Sequence, residues 1–217
     1  MVHTRAQRRV EAAAEHNMAD GSATLPDELL LRVLGHVMLR DGEKQWRGAL
    51  RGVSRGWRAL HDGACTWLHL RNGVTDEGMH ALCGRLPALE TLALILVTSL
   101  TADGLRAAVG GLTTLTVLNL TDCNVTDALL RELRDRTELT ELYVGSTLVT
   151  DVGVRELRDL TELTTLDLGG THVTDAGLQH LTSLGALSTL YLGDTPTTQA
   201  GRYTLKATHP ALTIIFY

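Results

Sequence analysis

The string "THVTDAGLQHL" from Thr171 recurs upstream as "TLVTDVGVREL" from Thr147 and "CNVTDALLREL" from Cys123, with a looser copy, "SLTADGLRAAV", from Ser99. Aligned on the first Val or its equivalent, the copies stand at Val74, Leu100, Val125, Val149, Val173 and Thr197, which are 26, 25, 24, 24 and 24 residues apart. A period of this size marks a solenoid, in which each unit contacts only its neighbours along the array. No single unit can bury its own leucines, so the string recurs for structural reasons rather than catalytic ones.

Between the copies lies a second element, LxxLxL: "LTVLNL" from Leu115, "LTELYV" from Leu139, "LTTLDL" from Leu163 and "LSTLYL" from Leu187. Its last three residues alternate inward, outward, inward, as a short strand requires. "LETLAL" from Leu89 is an earlier copy, and "CTWLHL" from Cys65 and "LTIIFY" from Leu212 are worn end copies, so seven strands are expected. The VTDxGLxxL half has helical spacing, and Thr174 or Asp175 can cap the helix because a short oxygen side chain accepts from its free N–H groups.

One strand and one helix per unit of 20 to 29 residues, with LxxLxL in the strand, resembles the leucine-rich repeat family. The resemblance covers residues 65 to 217 and implies an α/β solenoid of short parallel strands plus helices, about six repeats, placed at 64–217. Where many such repeats carry Asn after the strand, this chain has Cys123, Thr147, Thr171 and Thr195, which are expected to hydrogen-bond the turn backbone inside the arc.

Composition narrows the function. With 44% hydrophobic residues but only 4% aromatic and a single Phe, leucine must fill the core, and a stacking pocket for a base or cofactor is disfavoured. The net charge is −5. Residues 1–65 carry ten Lys/Arg against eight Asp/Glu and the remainder ten against seventeen, so the repeat region is the acidic part and suits protein rather than nucleic acid. No apolar run reaches membrane-span length and no secretory leader is evident, so an intracellular protein, cytoplasmic or nuclear, is expected. Cys65, Cys83 and Cys123 are few and unpaired in spacing, which argues for reduced thiols without zinc. HExxH, GxSxG, GxxxxGK[ST] and GxGxxG are absent, and His172 and His180 read as surface or helix-end residues. Neither an enzyme nor a cofactor is expected.

Ahead of the repeats, residues 1–23 read as a disordered basic tail with Arg5, Arg8 and Arg9. Residues 24–63 read as a helical trio: Pro26, Asp27 and Glu28 suit a helix start, and Leu29, Leu30, Val33, Leu34 and Val37 spread over a face wider than one small neighbour needs. LPxELL at Leu25 to Leu30, VL at Val33 and Leu34, and LxxVSxxW at Leu50, Val53, Ser54 and Trp57 resemble an F-box. That resemblance implies docking on a Skp-family adaptor, and through it a cullin, in a ubiquitin ligase whose substrate the repeats recruit. By position it implies adaptor contacts at Leu25, Pro26, Leu29, Val33 and Trp57.

Periodicity also points to a substrate surface. The residue inside each LxL should face outward on the concave sheet: His69, Ala93, Asn119, Tyr143, Asp167, Tyr191 and Phe216. A second column beside it should be Trp67, Thr91, Val117, Glu141, Thr165, Thr189 and Ile214. Two tyrosines flanking an aspartate, with Glu141 and Phe216 nearby, make an amphipathic patch suited to a partner segment containing Lys or Arg. The leading expectation is a non-catalytic substrate receptor of a Skp–cullin–F-box ligase with an unknown substrate. The alternative is a plain leucine-rich interaction scaffold whose helical front only caps the solenoid.

Overall fold

The computed structural model describes residues 66–70, 74–84 and 86–216. Seven strands, β1 (Trp67–Leu70), β2 (Thr91–Leu94), β3 (Val117–Asn119), β4 (Glu141–Tyr143), β5 (Thr165–Asp167), β6 (Thr189–Tyr191) and β7 (Thr213–Ile215), form one sheet in chain order. Every pairing is parallel. Helices α1 (Asp76–Cys83), α2 (Ala102–Gly111), α3 (Asp127–Leu133), α4 (Asp151–Arg155), α5 (Asp175–His180) and α6 (Gln199–Thr208) alternate with them along the other side. The seven strands expected from LxxLxL are all present. The segments 1–23 and 24–63 lie outside the described residues.

Between strand and helix layers runs a continuous core of leucine and valine, with Leu92, Leu118, Leu142, Leu166 and Leu190 fully inaccessible. Each of these stands at the centre of its strand between two half-exposed residues, the inward–outward alternation the sequence predicts. Burying one leucine contributes about 1.5–3 kcal/mol, and the array repeats that gain every 24 to 26 residues.

Two polar ladders hold consecutive coils in register. Thr116, Thr140, Thr164 and Ser188 each donate a hydroxyl to the backbone carbonyl of the residue one coil earlier: Glu90, Thr116, Thr140 and Thr164. In the second ladder Asp76, Asp127, Asp151 and Asp175 accept both the N–H and the hydroxyl of the threonine that opens the next repeat: Thr101, Thr150, Thr174 and Thr198. The expected capping role therefore divides between the two residues. Thr174 caps its own helix by accepting from the Ala176 N–H at 3.2 Å, while Asp175 reaches forward to the next coil.

Cys123, Thr147, Thr171 and Thr195 do bond turn backbone. Thr147 and Thr171 are buried and donate to the carbonyls of Val144 and Leu168, three residues back in the turn. Thr195 does the same to Leu192 at 2.8 Å, while the Cys123 thiol turns instead to the Leu94 carbonyl of the preceding coil. These residues belong to the scaffold.

Candidate functional site

The concave columns follow the expected register through six strands: His69, Ala93, Asn119, Tyr143, Asp167 and Tyr191 stand side by side. So do Trp67, Thr91, Val117, Glu141, Thr165 and Thr189.

At β7 the register departs from the expectation, and both end residues need correcting. Tyr191 is aligned with Ile215, not Phe216, and Thr189 with Thr213, not Ile214. Earlier coils place three steps between the buried leucine before the strand and the one within it, as in Leu187 and Leu190. The last coil has only two, from Leu212 to Ile214, although Leu212 closes its turn on the His209 carbonyl as its counterparts do on theirs. Ile214 consequently faces the core. Phe216 lies beyond the end of β7 and is exposed, with the Arg202 guanidinium over its ring, 4.7 Å from the centroid. Phe216 is not part of the concave patch, and Ile215 takes its place.

Glu141, Tyr143, Asp167 and Tyr191 do come together. The Tyr143 hydroxyl donates to Glu141 Oε2 at 2.7 Å, so these two outward residues of β4 satisfy one another. Burial, reinforced by that carboxylate, pushes the Tyr143 phenol well above its ordinary range and keeps it a neutral donor. Asp167 stands between the tyrosine columns of β4 and β6. Its Oδ1 accepts from the Gly169 N–H at 2.9 Å, and burial raises its pKa despite that bond. Among the described residues no Lys, Arg or His pairs with it.

Beside Asp167 opens a hollow of about 240 Å³ that periodicity alone did not reveal. Gly145, Gly169 and Gly193, each the second residue after its strand, line it. A Cβ on Gly145 or Gly169 would come within 3.0 to 3.2 Å of the Asp167 carboxylate, which leans across both. Tyr191 and Ile215 also line it, as do Ser146, Gly170 and Asp194. The last three all have left-handed backbones, with φ of 54°, 67° and 52°. The visible signal was the recurring glycine two residues after Tyr143, Asp167 and Tyr191.

A family profile described as "Leucine Rich repeat" matches residues 111–128 and 160–182. These two segments match the leucine-rich-repeat profile. Among solved structures the repeat chain is similar to an internalin C2 (inlC2) from Listeria monocytogenes, at 16% identity and a TM-score of 0.50, over 73% of this chain and 84% of that one. It is also similar to an internalin (inlF) from the same organism, at 16% identity and a TM-score of 0.44 over 63% of this chain, and spans half of that protein's length. No curated protein matches the sequence. With seven parallel strands in chain order, the fold is an α/β leucine-rich-repeat solenoid.

The expected adaptor contacts Leu25, Pro26, Leu29, Val33 and Trp57 lie outside the described residues. Among those described, no helix is long and apolar enough to cross a membrane, and no group of His, Cys, Asp and Glu is arranged to hold a metal ion. Cys83 and Cys123 are free thiols. His172 is exposed before α5, and His180 ends it.

Proposed function

We propose that this chain is the substrate-recognition subunit of a Skp–cullin–F-box ubiquitin ligase, acting inside the cell. Its front segment docks the Skp-family adaptor, and its leucine-rich arc holds the substrate protein. The observation that carries the recognition half is the concave patch in which Tyr143, Asp167 and Tyr191 stand on adjacent strands beside Glu141. Half-exposed aromatics around a carboxylate are the composition of a partner-binding centre. The docking half rests on the sequence LPDELL from Leu25 and the Val53-Ser54-x-x-Trp57 ending.

The mechanism is proximity. A receptor without a catalytic group of its own holds a substrate lysine near a donor enzyme and raises its effective concentration, while other subunits transfer the ubiquitin. A leucine-rich scaffold without ligase function is the second reading. It needs only the repeats that the family match supports at residues 111–128 and 160–182.

Binding of purified Skp-family adaptor to the wild type and to a Leu25→Ala, Pro26→Ala double variant separates the two, with circular dichroism confirming that both stay folded. Tight binding lost in the variant supports the receptor. Absence of binding by the folded wild type leaves the scaffold.

A further inference from the structure

We infer that the hollow beside Asp167 is an arginine pocket: it takes one arginine side chain of an extended partner segment, with the guanidinium paired to Asp167 and lying against the Tyr191 ring. This deepens, and rests on, the reading of the concave face as a partner-binding surface.

Four observations converge. At about 240 Å³ the hollow is smaller than the roughly 300–1,000 Å³ of small-molecule sites, and it suits a single side chain. Asp167 projects into it with Oδ1 held by the Gly169 N–H, while Oδ2 has no donor among the described residues. Burial without a neighbouring cation leaves that carboxylate short of a charge partner. The chain's own Arg202 is occupied elsewhere, its Nε and Nη2 donating to the Thr197 hydroxyl and carbonyl.

Arginine fits this wall chemistry better than lysine. The Asp167 carboxylate lies over Gly145 and Gly169, and the Tyr191 ring lines the same hollow, so a carboxylate and a phenol ring are offered to one incoming group. The guanidinium fork matches a carboxylate in two parallel hydrogen bonds, and its face stacks on a phenol ring. An ammonium offers a point charge with neither the plane nor the fork. Glu141 is engaged by Tyr143, so Asp167 is the anchor, and Asp194, which also lines the hollow, adds negative charge.

The test selects random displayed peptides on the immobilised full chain. A selected peptide and its Arg→Lys and Arg→citrulline versions are then titrated by fluorescence anisotropy against wild type, Asp167→Asn and Tyr143→Ala, each checked for fold by circular dichroism. The inference expects an arginine in the selected consensus and a loss of about tenfold or more for either arginine replacement and for Asp167→Asn. Peptides that need Tyr143 but carry no arginine requirement would overturn the arginine pocket and leave the concave receptor surface standing. Peptides indifferent to both Tyr143 and Asp167, or none selected at all, would overturn both.

Discussion

Asp175 and Gly201 fit one another across a repeat boundary. Drawn in by the Thr198 N–H at 2.7 Å and hydroxyl at 2.6 Å, the Asp175 carboxylate fills the space where a side chain on Gly201 would begin. The same fit recurs at Asp76 with Gly104, Asp127 with Gly153 and Asp151 with Gly177. Where the aspartate is missing, at Ala102, the next repeat carries Leu129 in place of glycine. The TDxG of the opening string is therefore a two-repeat device, its Asp serving the following coil and its Gly admitting the preceding Asp.

A double-mutant cycle on this pair should show strong coupling. Gly201→Ala in the wild type should cost about 1–3 kcal/mol by overpacking, although alanine ordinarily favours a helix. In an Asp175→Ala background the same change should be neutral or stabilising by up to about 1 kcal/mol. Urea denaturation of the four proteins measures it, and additive effects would contradict the fit.

The same aspartate should shape the acid limb of stability. The Thr198 hydroxyl, and after it the Thr198 N–H, hold the Asp175 carboxyl below its ordinary value of 3.8. A carboxyl depressed in the folded state stabilises above its unfolded pKa, and that contribution is lost as pH falls through the folded one. The stability gap between wild type and Asp175→Asn should therefore be constant near neutrality and narrow below about pH 4. A gap that does not change down to full protonation would sink the assignment.

Asp167 should behave in the opposite sense. Its pKa is raised by burial, so the ionised carboxylate costs stability above the folded pKa, and the cost vanishes below the unfolded value of 3.8. Asp167→Asn should raise stability at neutral pH by about 1 kcal/mol or less, and the advantage should disappear in acid. Thermal melts at pH 7 and in acid decide it; a destabilised Asn variant at pH 7 would show that the carboxylate serves the fold instead.

Burial pushes the Cys123 thiol up to about 11. Since the thiolate is the nucleophile, alkylation of native protein at pH 8 should leave Cys123 unmodified while the urea-unfolded chain reacts readily. Mass spectrometry of the alkylated peptides reads this directly. Equal labelling in both states would mean that the thiol is not held against the Leu94 carbonyl.

Much of the fold was legible because its signals are local and repeated. The spacing of Leu139, Leu142 and Val144 states a strand, that of Val173, Leu178 and Leu181 a helix, and the recurrence of both every 24 residues states the array. The concave order of Tyr143, Asp167 and Tyr191 followed from it because parallel strands in a regular coil carry equivalent residues side by side. Phe216 was misplaced because counting from Leu212 assumes three steps to the strand's central residue, where the last coil has two.

What the sequence by itself determined, then, is the element order, the leucine core and the outward columns, since each follows from a period that the chain repeats. Tertiary structure alone decided three things. The Leu192 N–H donates to the Ile215 carbonyl and so sets the final register, whatever the leucine count suggests. Asp175 turns to Thr198 rather than to its own helix. The hollow exists because glycines two dozen residues apart align beneath one carboxylate. Each of these is a contact between successive coils, and such contacts acquire their geometry only when the coils stack.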